Sequence, residues 1–119
     1  MTLQEFYEEI HGNYAEVSSR LMNDKRIYKY LYKFKDCSDY SDLMNALAAE
    51  NWEDAFRFSH NLKGMCLNLS LSALATVSSD LCEEFRNGPP KKDVSSMVAD
   101  VTSEYEKVLA ALAVLDPLA

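Results

Sequence analysis

Glycine and proline are scarce: three of each occur in 119 residues, and two of the prolines are adjacent. Long stretches free of both argue against a fold built on many tight turns and favour helices. Basic charge is also short. Twelve Lys and Arg stand against nineteen Asp and Glu, for a formal net charge of −7. An acidic chain of this size gains nothing from the DNA phosphate field, so no nucleic-acid partner is expected. Cys37, Cys66 and Cys82 are odd in number and form no CxxC pair. Neither a disulfide framework nor a zinc site is expected. No window approaches the roughly 18 apolar residues of a membrane span. The start, Met1-Thr2-Leu3-Gln4-Glu5, has no basic n-region. Together these absences point to a cytoplasmic protein with free thiols and no membrane contact.

What is present suits one globular core. Hydrophobic residues make up 48% of the chain, and the length allows a single domain over residues 1–119. Thr2 can cap a short helix over residues 3–10, which His11-Gly12 stops; His11 reads as a helix C-terminal residue. A second short segment over residues 14–22 carries Val17, Leu21 and Met22 on one side. Asn23 or Asp24 can cap the next helix, where Ile27, Tyr30, Leu31 and Phe34 keep i, i+3, i+4, i+7 spacing. A polar interval at residues 35–39 shifts the apolar phase, so residues 24–50 form one kinked helix or two shorter ones. Asn51 caps a helix reaching Leu69, with Glu53 and Asp54 in the first turn where the helix dipole favours negative charge. Ser70 or Ser72 can start another, which Asn87-Gly88-Pro89-Pro90 ends. A last helix begins near Asp93 and runs towards Pro117. The expected architecture is all-α, an antiparallel four-helix bundle with small N-terminal helices packed on it.

The helix over residues 51–69 is the informative one. Advanced by about 100° per residue, Ala55, Phe58, Leu62, Met65, Cys66 and Leu69 fall in one apolar sector. His60 lies about 170° from its centre, on the solvent side. Phe56, one turn earlier, and Leu67, two turns later, flank it outside the apolar stripe and suggest a docking surface. Lys63 and Gly64 follow at i+3 and i+4, both beside the imidazole. Lys63 can hold its ammonium near an anion carried on the ring. Gly64 costs about 1 kcal/mol in a helix interior, so it needs a reason. Bare space beside His60 is one, and close helix packing is the other. A neutral imidazole is nucleophilic near pH 7 and forms a labile phosphoramidate on Nε2. No Gly-rich phosphate loop or nucleotide-site signature accompanies it, so any ATP chemistry must lie elsewhere.

The run Ser59-His60-Asn61-Leu62-Lys63-Gly64-Met65-Cys66-Leu67-Asn68-Leu69 resembles the histidine-containing phosphotransfer (Hpt) domain, whose core pattern reads H-x-L-K-G-x-x-x-N-L-G. His60, Leu62, Lys63, Gly64, Asn68 and Leu69 match. Asn51-Trp52-Glu53, Leu81 to Glu84 and Arg86-Asn87-Gly88 add similarity elsewhere. The resemblance implies a phosphocarrier, not a kinase. His60 would take a phosphoryl group from a receiver-domain aspartate and pass it to another. Lys63 would stabilise the phosphohistidine, Gly64 would leave access, and Asn68 would be part of the structural motif. Phe56, Arg57 and Leu67 are the expected partner-binding residues. Partners would be response-regulator receiver domains and a hybrid histidine kinase. The chain would bind no cofactor or metal, the Mg²⁺ would come with the receiver domain, and the protein would be a monomer. Two departures stand out. Ser70 replaces the usual final glycine and is expected to cap the next helix. Met65-Cys66-Leu67 is bulkier than usual, with Leu67 near the site. One rival is a helical adaptor that binds a receiver domain without being phosphorylated. A metal or enzyme centre is a weaker rival: His60 and Cys66 lie about 120° apart and cannot share an ion.

Overall fold

The computed structural model describes residues 1–118, and those residues form helices without a strand. The helices are α1 (Leu3–Glu9), α2 (Tyr14–Leu21), α3 (Asp24–Asp36), α4 (Asp39–Ala48), α5 (Trp52–Asn68), α6 (Ser72–Glu84) and α7 (Ser95–Val114). Helices α4, α5 and α6 follow one another through three-residue connections, and a ten-residue segment leads from α6 to α7. Consecutive members pack together, α4 on α5, α5 on α6 and α6 on α7, as an antiparallel bundle requires. Tyr40 of α4 closes the ring. It stacks on Tyr105 of α7 with centroids 4.0 Å apart and donates its hydroxyl to Thr102. Helix α3 joins the same core through Phe34, which lies 5.8 Å from Tyr105. The expected bundle with small N-terminal helices is the observed one.

Residues 24–50 resolve into two helices. The break is at Cys37, whose backbone is extended at φ −73°, ψ 142°. The Cys37 thiol donates to Asp39 at 2.8 Å. Burial and that carboxylate push the thiol pKa up, so the half-buried cysteine is not an activated one. Asn23 caps α3 and Asn51 caps α5, each accepting the backbone N–H three residues on. Cys66 and Cys82 are buried, and Trp52 stacks on Phe85. Met22, expected on the apolar side of α2, instead ends that helix in the left-handed conformation and is 76% exposed.

Three helices end in the same way. After α1, α4 and α5, the residues His11, Glu50 and Ser70 take φ of 55°, 54° and 53°. In each case the next residue's N–H reaches back to the carbonyl five positions earlier: Gly12 to Tyr7, Asn51 to Ala46, Leu71 to Cys66. These are Schellman endings with a non-glycine residue at the left-handed position, which costs about 1 kcal/mol each. His11 thus ends α1 as expected. Ser70 does not cap α6. Leu71 holds that position without a side-chain bond, and the Ser70 hydroxyl turns the other way, to α2.

Candidate functional site

Helix α5 carries two faces. Ala55, Ser59, Leu62 and Cys66 are buried inside the bundle, and Leu69 follows at the helix end. Ser59 belongs there because its hydroxyl bonds back to the Ala55 carbonyl at 2.7 Å, leaving no polar atom for water. Phe58 and Met65, expected in the core, are only half-buried at its edge. Centred on the residues actually buried, the inward sector lies about 140° from His60, and His60 is exposed. Neither of its ring nitrogens is engaged by another described residue.

One flank of His60 faces α6. The Phe56 ring lies 5.9 Å from the imidazole. It is half-buried, because the Arg86 guanidinium sits over it at 5.3 Å. Arg86 is held there by two bonds to Glu83, at 3.0 and 2.6 Å. Those bonds hold the Glu83 carboxyl below its usual pKa, and the nearby Lys63 ammonium adds to the effect. Lys63 is half-buried, and Leu67 is 52% exposed. Lys63 and Leu67 border a cleft of about 410 Å³ that Thr76, Ser79 and Asp80 close on the α6 side and Glu16 on the α2 side. Sequence reasoning missed Glu83 and Arg86 as neighbours of this face. Their i, i+3 spacing reveals the pair, but only the docking of α6 places it on Phe56.

The other flank faces α4 and α3. Asn61 donates to Asp39 at 3.3 Å. Arg57 is exposed, paired with Asp54 at 3.2 Å and laid over the Phe58 ring at 4.6 Å. Between the flanks stands Gly64. A Cβ built on it would meet nothing within 4 Å. Close packing therefore does not explain this glycine; the space beside it is open.

The far end of α5 is held by the N-terminal helices. Arg20 of α2 donates to the Leu67 and Asn68 carbonyls and to the Ser70 hydroxyl, each at 2.9 Å. Ser70 in turn donates to Glu16 at 2.6 Å. Ser70 and then Arg20 hold the Glu16 carboxyl below its usual pKa. Tyr7 donates to the Leu69 carbonyl at 2.8 Å and Asn13 N–H to the Ser70 carbonyl at 3.0 Å. The unsatisfied carbonyls of a helix end thereby meet a cation and two further donors. Asn68 contributes its backbone carbonyl to this cap. Among the described residues, no three His, Cys, Asp or Glu side chains converge as a metal site, and no helix is long and apolar enough to cross a membrane.

Fold and face together define a class: a helical bundle with an exposed imidazole on the outer side of a central helix. The family model for the Hpt domain matches residues 34–113, from the last turn of α3 to the last turn of α7. The chain belongs to the Hpt domain family. Phosphotransfer in a two-component phosphorelay follows from that membership, as does the status of phosphocarrier rather than kinase; Hpt domains work with receiver domains and histidine kinases. No curated protein and no solved structure matches the chain.

Proposed function

We propose that His60 is the phosphoacceptor and relays the phosphoryl group between two receiver domains. The observation that carries this reading is an unengaged, exposed imidazole beside a glycine whose missing Cβ leaves open space. The Nε2 lone pair attacks the phosphorus of an aspartyl phosphate. As the N–P bond forms, the P–O bond to the aspartate breaks and its electron pair leaves on the carboxylate. Loss of the Nδ1 proton to water relieves the positive charge on the ring. In the onward step Nδ1 takes a proton back from water, a second receiver's aspartate oxygen attacks phosphorus, and the N–P electrons return to Nε2 of a neutral imidazole.

Lys63 stabilises the dianionic phosphoryl group in both steps. Gly64 gives the donor and acceptor aspartates an in-line approach. The Mg²⁺ that neutralises charge during transfer is held by the receiver domain. Phe56, Arg57 and Leu67 meet that partner, with Leu67 the most exposed apolar group of the three. The whole chain acts as one cytoplasmic, monomeric carrier fed by a hybrid histidine kinase.

The test mixes the purified protein with a ³²P-labelled receiver domain. Acid-labile, base-stable label is expected on this chain and is lost in His60→Gln. Label that persists in His60→Gln overturns the assignment. Receiver binding without label on the wild-type chain makes the protein an adaptor instead.

A further inference from the structure

The chain's positive charge is unevenly placed. Five of its twelve Lys and Arg lie on α3: Lys25, Arg26, Lys29, Lys33 and Lys35. Five cations against Asp24 and Asp36 leave α3 at +3 within a chain of −7, and the rest at −10. All five are exposed. None makes an ion pair with a described residue, whereas Arg20, Arg57, Arg86, Lys92 and Lys107 each have a carboxylate partner. Lys63 and Lys91 stand singly, whereas α3 gathers five unneutralised cations on one helix and so presents a concentrated positive field in an acidic molecule.

That surface has a direction. By helical phase Arg26, Lys29 and Lys33 share a stripe with Tyr30, away from the buried Ile27, Leu31 and Phe34. The Lys29 and Lys33 ammoniums lie 5.9 and 5.3 Å from the Tyr30 ring centroid. Tyr30 and Lys33 also border a cleft of about 230 Å³ whose other wall is Met65, Asn68 and Leu69 of α5. Asn68 is eight residues beyond His60, or about 12 Å along the helix axis. A standard protein interface covers about 800 Å² on each partner, a patch roughly 28 Å across. A domain seated over His60, reaching about 14 Å from it, therefore covers Asn68 and meets the Lys33 end of the stripe across the cleft.

We infer that the α3 stripe is the electrostatic docking edge for the acidic face of the phosphodonor receiver domain. This rests on the reading of His60 as phosphoacceptor. The partner that brings an aspartyl phosphate brings a dianionic group and the carboxylates that hold its Mg²⁺. The −10 remainder of the chain repels such a face. The stripe draws it in from one side, so that it lands on His60 in one orientation. Charges at the rim of an interface act mainly on association rate and orientation.

The experiment measures the second-order rate of label transfer from a ³²P-labelled receiver domain at increasing salt. Wild type is compared with Lys29→Glu/Lys33→Glu, Lys33→Glu and Lys107→Glu. Lys107 lies on α7, which packs on α6 and α4 across the bundle from α5, and its reversal changes net charge as much as Lys33→Glu. The double variant is expected to lose roughly tenfold in rate at low salt, with most of the gap closing at 0.5 M salt, about the regime where surface fields are screened. Lys33→Glu should fall clearly and Lys107→Glu less than about twofold. Equal falls in Lys33→Glu and Lys107→Glu overturn the proposal, since net charge alone then accounts for the rate. An unchanged double variant, with wild type labelled normally on His60, overturns the stripe and leaves the His60 reading standing. Sedimentation with phosphatidylserine vesicles that the double variant loses, with transfer unchanged, overturns it in favour of a lipid surface. A wild-type chain that takes no label overturns both readings.

Discussion

On the inward face of α5, Ala55, Ser59, Leu62 and Cys66 are shut away from solvent, and the one hydroxyl among them is satisfied within its own helix. On the outward face of the same helix, His60 is exposed and Gly64 borders empty space. The inward residues are what a bundle needs to hold together. The outward ones contribute little to the fold, and Gly64 works against it, since glycine is a poor helix former. Residues whose absence would not loosen the protein are the ones that a partner's chemistry explains. The two faces should therefore come apart under mutation.

The sharpest break is a double dissociation. His60→Gln should abolish phosphoryl labelling and leave the melting temperature within about 2 °C, since an exposed side chain contributes little to stability. Leu62→Ala should do the reverse. It empties a fully buried site at the α5 core and should cost about 3 kcal/mol, lowering Tm on the order of 10 °C. Below that Tm, its His60 should still take label. Calorimetry and transfer assays on the same preparations check both. A His60→Gln variant that melts far lower would mean that the imidazole supports the fold as well.

Much of this division was legible in the sequence. The 3.6-residue phase put Leu62, Cys66 and His60 on opposite faces, and Asn51 announced the start of α5 through its side-chain cap. Ser59 was not legible as core, because serine reads as polar until its hydroxyl is seen bonded to Ala55. Phe58 and Met65 sit at the edge of the stripe, where periodicity cannot separate half-burial from burial. At the candidate site, the His60, Lys63 and Gly64 cluster is local and follows from helix spacing. Arg86 over Phe56, Tyr7 on Leu69 and Arg20 on Leu67 are contacts between residues 30 to 62 apart in sequence. No local pattern encodes them. Ser70 shows the same limit. Its small polar side chain suggested a cap, whereas its left-handed backbone ends α5 and its hydroxyl joins Glu16 and Arg20.

A smaller effect tests whether the end of α5 belongs with the inward or the outward face. Arg20→Met keeps the stem and removes the cation from the Leu67 and Asn68 carbonyls and the Ser70 hydroxyl. It should lower stability by about 1 kcal/mol and slow transfer little. Glu16 adds a pH signature. Its folded pKa lies below its ordinary value, so its contribution is present above the unfolded carboxylate pKa of about 4.3 and is lost as pH falls through the lower folded value. The stability difference between wild type and Glu16→Gln should shrink below pH 4, roughly the range where the free carboxyl takes up its proton. Denaturant melts at pH 7 and pH 3 check this. A difference that stays constant with pH would place the Glu16 contribution outside the charged network with Ser70 and Arg20.

Gly64→Ala asks the finest question, because its two effects should have opposite signs. Alanine is about 1 kcal/mol better than glycine in a helix interior. The added methyl meets no neighbour within 4 Å, so nothing offsets that gain. The variant should melt about 4 °C higher. The same methyl enters the open space beside His60 that an approaching aspartate must use, and small displacements of reacting groups are costly. Transfer should fall roughly tenfold although the protein is more stable. Scanning calorimetry and single-turnover transfer measure the two sides separately. A variant that is both more stable and equally fast would mean that the outward face has room to spare, and that Gly64 serves neither fold nor access.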